Sequence, residues 1–310
     1  KEVGYPVIIK AAAGGGGKGM KIVRADAAFN QAFQTARAEA IAAFGNGDVY
    51  VEKYIENPRH VEFQVVADNY GEVVVLGERD CSIQRRHQKL VEESPCPVLT
   101  DKGRAKMSST IVSALKKLKY RNVGTIEFLM DPKGNLYFIE MNTRIQVEHP
   151  VTEMVTGLDL IRVQIEMAAG ERMKPEVKDC ELHGHAIECR ITAEDPENFR
   201  PSPGRIQGYH EPGGRNVRVD SAVCDGYFVA PNYDSMLAKL IVWGKDRNEA
   251  IRRMQRALDE FVVEGIKTNI SLQRRILAHP KFQKGEVDTS FLEKNLLGAI
   301  QPAGTGTTAA

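Results

Sequence analysis

No apolar run in the 310-residue chain approaches the ~20 residues that a helix needs to cross a bilayer, so the hydropathy points to no membrane span. Charge of one sign is not in excess either. The formal net charge is +1, which removes any global argument for nucleic acid or an anionic membrane as partner. Cysteine is sparse and scattered. Cys81, Cys96, Cys180, Cys189 and Cys224 form no C-x-x-C pair, so neither a zinc site nor a disulfide framework is suggested. Free thiols in a reducing cytoplasm are the expectation. Both common phosphate-binding signatures are missing: there is no G-x-x-x-x-G-K-[ST], and no G-x-G-x-x-G with a following acid in a βαβ unit. An initiator Met and a leader are absent as well, since Lys1-Glu2-Val3-Gly4-Tyr5-Pro6 runs straight into an apolar strand. The expectation is a fragment whose N-terminal part is missing. At the other end, residues 298–310 are expected to form a disordered tail of small residues and Thr.

What is present is an ordinary globular mixture, 27% charged and 42% hydrophobic, in a chain long enough for two domains. Val7-Ile8-Ile9 predicts a strand that Lys10 ends, followed by a glycine run from Gly14 to Gly17 with Gly19. Apolar residues at helical spacing predict helices over 25–44, 103–118, 158–169, 247–261 and 269–278. Strands are predicted over 49–55, 60–67, 73–76, 124–130 and 136–141, and a second unit rich in short strands opens at His185. The charged stretch from Glu171 to Leu182, which carries Pro175, reads as a domain boundary. Strands and helices mix without regular alternation, which predicts an α+β fold.

Four motifs carry chemistry. Gly14-Gly15-Gly16-Gly17 after the Ile-Ile-Lys strand can wrap phosphate oxygens with backbone N–H groups, and Lys10 can add a point charge; a plain surface loop is the bland alternative. In the hairpin around Asp131-Pro132-Lys133-Gly134-Asn135, Glu127 is expected opposite Glu140, with Asn142 on the same face as Glu140. Like charges facing each other among apolar residues are costly, and Mg²⁺ or Mn²⁺ bound by these hard oxygen ligands would relieve that cost. Third, Arg144, Gln146 and Glu148 alternate, so an extended segment would point all three one way, with Arg144 as an anion clamp and Glu148 as a base. Fourth, Arg85, Arg86, His87 and Lys89 form a cationic cluster. Without aromatic interleaving or a basic total it argues against nucleic acid.

Taken together, Tyr5-Pro6-Val7-Ile8-Ile9-Lys10 with the glycines, Glu52-Lys53-Tyr54-Ile55-Glu56-Asn57-Pro58-Arg59-His60, Gln84-Arg85-Arg86-His87-Gln88-Lys89 and the run from Phe138 to Pro150 resemble biotin carboxylase. So do Glu188-Cys189-Arg190-Ile191, Pro201-Ser202-Pro203-Gly204 and Tyr233-Asp234-Ser235-Met236. The resemblance covers residues 1 to about 297 and implies an ATP-grasp domain over 1–172, with a lid subdomain over about 1–54, and a biotin carboxylase C-terminal domain over 183–297. It implies ATP-dependent carboxylation of biotin by bicarbonate through carboxyphosphate, in a ligase that uses Mg²⁺ or Mn²⁺.

By the same resemblance Lys10 and Gly14, Gly15, Gly16 and Gly17 close on the ATP phosphates, while Glu52, Lys53 and Ile55 read adenine, Glu52 and Ile55 largely by backbone. His60, Gln84 and His87 line the ATP pocket; Glu127, Glu140 and Asn142 hold the metal. Lys89, Arg144, Gln146, Val147 and Glu148 form the bicarbonate site, with Glu148 as base, and Arg190 steadies the biotin enolate. A further N-terminal domain that the family carries is absent here, as is a Met-Lys-Met biotinylation segment. Biotin is therefore expected on a carrier protein or domain, with a carboxyltransferase as the next partner, a homodimer in the full-length enzyme, a cytoplasmic location and an association with fatty acid biosynthesis. Two alternatives accompany this reading: a nucleotide-binding ATP-grasp module inactive in isolation, and another ATP-grasp ligase joining a carboxylate to an amine.

Overall fold

The computed structural model describes residues 3–14 and 20–297. Gly15, Gly16 and Gly17 of the expected lid, and the expected tail over 298–310, lie outside the described residues. The chain divides into two compact units, Lys1–Pro58 and Arg59–Ala310.

In the first unit, strands β1 (Val7–Ala11), β2 (Met20–Val23) and β3 (Val49–Lys53) form an antiparallel sheet in the order β2-β1-β3. Helix α1 (Phe29–Phe44) lies against it, preceded by a short 3-10 turn over Asp26–Ala28. Two periodicities meet in this core. Alternation in β1 turns Val7 and Ile9 inward, and a 3.6-residue period in α1 brings Phe29, Phe33 and Ala36 onto them. Gly45 ends the helix in the left-handed region at φ 68°, where a side chain would be strained, and its N–H bonds the Ile41 carbonyl.

The second unit follows as β4 (Arg59–Ala67), β5 (Val73–Arg85), β6 (Gln88–Ser94), α2 (Asp101–Leu118), β7 (Asn122–Met130), β8 (Leu136–Asn142), α3 (His149–Thr156), α4 (Leu160–Ala168) and α5 (Pro175–Lys178). Then come β9 (His185–Thr192), β10 (Gly204–Arg205), β11 (Gly208–His210), β12 (Val217–Ser221), β13 (Phe228–Val229) and β14 (Met236–Gly244). Helix α6 (Arg247–Glu260), β15 (Val262–Glu264), α7 (Ile270–Ala278), α8 (Pro280–Gln283) and α9 (Phe291–Asn295) complete it. An antiparallel eight-stranded sheet in the order β12-β14-β9-β6-β5-β4-β7-β8 is its frame, so strands from both sides of the Glu171–Leu182 stretch share one sheet. One face is apolar and covered by helices: Ile111 and Leu115 of α2 pack on Phe63, Val65 and Phe128, and Met254 and Leu258 of α6 pack with Ile276 of α7 on Leu240 and Ile191.

Two local expectations need correction. The strand predicted to stop at Leu76 continues to Arg85, and most of the charged run 78–84 is buried within it. Arg86 and His87, both at positive φ (47° and 68°), make the two-residue turn into β6, with Arg85 paired to Gln88. The cationic cluster is thus an exposed hairpin tip, Arg86 and His87, followed by an inward lysine. Likewise the segment after Asn142 is not extended: it bends through residues 143–148 into α3, with Glu148 at φ −81°, ψ 7° as the N-cap.

Candidate active site

The site is built on the polar face of the eight-stranded sheet. Register places Glu62 of β4 opposite both Glu127 of β7 and Arg79 of β5, and Glu127 opposite Glu140 of β8. Three carboxylates therefore sit side by side in one row that ends on a guanidinium. The β7–β8 turn, in which Asp131 Oδ1 accepts the N–H groups of Lys133 and Asn135 at 2.9 Å each, sets Met130 opposite Leu136, and a bulge between Glu127 and Phe128 then brings Glu127 onto Glu140.

Like charges in adjacent strands repel, and buried cations answer that repulsion here. Arg79 is fully buried; its Nε donates to Glu62 Oε1 at 2.6 Å. The rest of its fork reaches Gln64, Thr152, Thr125 and Gln146 at 2.7–3.3 Å. Lys89 Nζ lies 2.6 Å from Glu62, 3.5 Å from Glu127 and 2.5 Å from Glu148. His60 Nδ1 faces the Gln84 amide N–H at 2.8 Å, which leaves the ring proton on Nε2, 2.9 Å from Glu127 Oε2 though poorly aligned for a hydrogen bond.

Glu148 is buried at the start of α3, and its side chain makes no cap. One oxygen takes Lys89 and the other takes Arg190 Nη2 at 3.0 Å. Arg190, on β9, also donates Nε to Glu92 Oε1 at 2.6 Å, and its carbonyl is gripped by Asn269 and Gln273 of the C-terminal helical layer at 2.9 Å each. Gln146 bridges Arg79 and Glu127, and Lys239 Nζ holds the Val147 carbonyl at 3.2 Å.

Of the residues singled out in the sequence, this unit therefore brings together His60, Gln84, Lys89, Glu127, Asn142, Gln146, Val147, Glu148 and Arg190. Asn142 donates to Glu127 Oε1 at 2.8 Å. Glu140 is on the expected face but exposed on the edge strand rather than embedded, with Phe138 beside it 64% exposed, and has no partner among the described residues. Arg144 is exposed and donates to the next carbonyl, Ile145, at 3.1 Å; the bend after Asn142 keeps it from lining up with Gln146 and Glu148. His87 is exposed at the hairpin tip. In the first unit, Lys10 ion-pairs with Glu52, Lys53 Nζ donates to the carbonyls of Gly4 and Tyr5 at 3.0 and 2.9 Å, and Ile55 is buried. Gly14 follows β1, its N–H on the Ala11 carbonyl.

Sequence reasoning missed Glu62, Arg79, Glu92, Lys239 and Gln273. A signal existed for the first: His60, Glu62 and Gln64 fall on every second position of an otherwise apolar strand, a polar stripe aimed at one face. For Arg79 the signal was hidden by the early end assigned to its strand.

The charge balance has a measurable consequence. Burial alone would raise the Glu127 carboxyl, but His60, Lys89 and Gln146 outweigh it and hold it at about 2. Burial is likewise outweighed at Glu93, where Arg247 and His185 hold the value at about 2. Both lie below the ordinary 4.5, so their stabilisation is present above that value and disappears as pH falls from about 4.5 towards about 2. Urea-unfolding free energy should fall across that window, and Glu93→Gln should make the fall shallower by about one proton. Equal slopes in the two proteins would contradict this account.

The donor set also suits a hard cation. Glu127 and Glu140 face each other across two strands, Asn142 shares their face, and Glu140 has no cation of its own among the described residues. Oxygen ligands of this kind fit Mg²⁺ or Mn²⁺.

Residues 1–176 match the family model "Carbamoyl-phosphate synthase L chain, ATP binding domain", and residues 188–294 match "Biotin carboxylase C-terminal domain". The chain is 57% identical over 295 residues to a biotin carboxylase of Nostoc sp., covering 95% of this chain and 66% of that protein. It is 55% identical to that of Haemophilus influenzae, covering 96% and 66%. Among solved structures, the biotin carboxylase domain dimer of Hydrogenobacter thermophilus 2-oxoglutarate carboxylase, in complex with MgADP, ADP and bicarbonate, is similar with a TM-score of 0.88 at 52% identity, over 94% of this chain and 65% of that one. The chain thus spans just under two thirds of the length of these relatives.

Proposed function

This chain belongs to the biotin carboxylase family, and on that premise we propose that it carries the ATP-grasp and C-terminal parts of an enzyme that carboxylates biotin with bicarbonate at the expense of ATP. The observation that carries the reading is Glu148, a buried carboxylate with Lys89 on one oxygen and Arg190 on the other, on the same sheet face as the Glu127, Glu140 and Asn142 oxygen set. Lys89 and Arg190, on the two Glu148 oxygens, attract bicarbonate, Arg144 swings in from its exposed position to clamp it, and Glu148 takes its proton, so that the resulting oxyanion attacks the γ-phosphorus and ADP leaves. Carboxyphosphate then breaks to CO₂ and phosphate. Phosphate removes the ureido proton of biotin, Arg190 offsets the enolate charge, and the enolate adds to CO₂.

Glu127, Glu140 and Asn142 would hold Mg²⁺ or Mn²⁺, which supplies charge neutralisation for the nucleotide phosphates. His60, Gln84 and His87 are proposed for the nucleotide pocket. In the first unit Lys10 and Gly14–Gly17 are proposed for the phosphates, and Glu52, Lys53 and Ile55 for adenine. The proposed modules are 1–172 and 183–297. A biotinylated carrier and a carboxyltransferase are the proposed partners, a homodimer the proposed assembly, and the cytoplasm the proposed location.

Calorimetric titration tests the nucleotide site. Saturable MgATP binding is expected, with loss of at least about tenfold in affinity, about 1.4 kcal/mol, in Glu140→Ala. Binding indifferent to Mg²⁺ would refute the metal assignment. A second reading, a module that binds nucleotide without turnover, is favoured by Arg144, which lies exposed on the Ile145 carbonyl rather than beside Glu148. Biotin-dependent ATP hydrolysis, measured on this chain and on the full-length parent, separates the two.

A further inference from the structure

β6 and β9 pair antiparallel, and their register sets Glu92 directly opposite Glu188. Both side chains are fully buried. Among the described residues only one of their four carboxylate oxygens is satisfied: Glu92 Oε1 accepts from Arg190 Nε, while Glu92 Oε2 and both oxygens of Glu188 have no hydrogen-bond partner there. Two ionised carboxylates facing each other in the interior would leave three bare anionic acceptors and one net uncompensated charge. Nothing else in the family-level reading uses Glu188.

The surroundings decide how many charges the pair carries. β9 contributes Arg190, already divided between Glu92 and Glu148. β14 contributes Lys239, the register partner of Arg190, but its ammonium is spent on the Val147 carbonyl and on Asp220 of β12, at 3.2 Å each. Arg79 and Cys81 of β5 face the same interior. Arg79 is engaged by Glu62 of β4, and burial pushes the Cys81 thiol well above its usual range, which keeps it neutral. Lys89 of β6 is committed to Glu62 and Glu148, the latter at the start of α3 beside His149. Arg190 is thus the cation that directly contacts the pair, and one cation balances one anion.

We propose that Glu188 is kept as a neutral carboxylic acid, so that the Glu92–Glu188 pair bears one proton and a single negative charge and acts as a positioning device behind Arg190. With one charge, Glu92 anchors Nε and leaves Nη2 directed to Glu148. A second charge would draw the guanidinium back towards the pair and away from the anion site. Burial pushes the Glu188 carboxyl well above the usual range, and desolvation, only partly offset by Arg190, raises Glu92 to about 7, in keeping with a retained proton. The consequence for turnover rests on the biotin carboxylase reading; the protonation state does not.

Infrared spectroscopy of this chain tests the proton directly. At pH 9, above the value of about 7 for Glu92, a protonated carboxyl C=O band should persist, shift in D₂O, and vanish in Glu188→Gln, which keeps the shape and neutrality of the acid. Absence of such a band at pH 9 in the wild type overturns the proposal without any variant, as does a band that survives at that pH in Glu188→Gln. In the full-length enzyme, Glu188→Gln should retain turnover at neutral pH while moving the alkaline limb of biotin-dependent turnover to higher pH, with the KM for ATP changed by less than about twofold. A pH profile superimposable on the wild type would overturn the positioning role. Because the infrared arm needs no biotin or ATP, its failure is distinguishable from failure of the proposed activity.

Discussion

Glu148→Gln in the full-length parent should cut biotin-dependent turnover by about 10²–10⁴-fold, the usual cost of removing a positioned base, while leaving ATP affinity near normal. Bicarbonate is a weak nucleophile until it loses its proton, and a neutral amide cannot take that proton. The substitution is close to isosteric, and the cations left behind keep partners: Lys89 retains Glu62 and Glu127, and Arg190 retains Glu92. Collapse of the site is therefore a poor explanation for the loss. Arg190→Ala should behave differently, permitting some ATP cleavage uncoupled from biotin carboxylation, because the proposed role of Arg190 lies after carboxyphosphate. Steady-state assays of ADP release and carboxybiotin formation, run side by side, separate the two variants. Near-normal turnover in Glu148→Gln would falsify the base assignment and move the proton to another group or to phosphate itself.

Arg79→Met should be the most damaging single change to the second unit, with an expected loss of roughly 3–5 kcal/mol in unfolding free energy. The guanidinium is fully buried and satisfies Glu62, Gln64, Thr125, Gln146 and Thr152 at once. Its removal strands acceptors on β4, β7, α3 and the Gln146 bend. Glu62 would keep Lys89, which Glu148 also needs, and the more distant His60 Nε2 at 3.8 Å. Arg79→Lys should recover part of the stability but not the geometry, since an ammonium cannot reproduce the planar fork that spans those acceptors. Denaturant unfolding of the three proteins measures this. A loss below about 1 kcal/mol in Arg79→Met would show that the network reorganises around water, and the strut assignment would fail.

Much of the site was legible before the fold was known. The acidic hairpin follows from a turn sequence with Asp, Pro, Gly and Asn between two apolar strands, whereas the direct pairing of Glu127 with Glu140 needs a one-residue bulge after Glu127 that the turn does not dictate. The placement of Asn142 on the same face follows from strand alternation. Charged runs are usually solvated, and residues 78–84 are not. Residues 78–84 are nearly continuous in polar character, yet each charge in them meets an opposite charge from a strand or helix distant in sequence: Arg79 with Glu62, Asp80 with Arg59, Glu78 with Arg104. Periodicity cannot reveal such compensation, because it reports one segment at a time.

By itself, the sequence determined the longer helices and the strands flanking the acidic turn, which face of the β7–β8 hairpin is acidic, and which short motifs carry the family, since all of these depend on neighbours within a few positions. Only the tertiary structure decided that Glu148 sits between Lys89 and Arg190, that Arg79 rather than a surface charge underlies the anion row, that Arg144 points away from its expected companions, and that Glu92 and Glu188 share one buried ladder position. The reason is physical. Backbone propensity and alternation act locally, whereas the energy of a buried charge is set by whatever opposite charges the fold brings within a few ångströms, and those come from parts of the chain 17 to 98 residues apart.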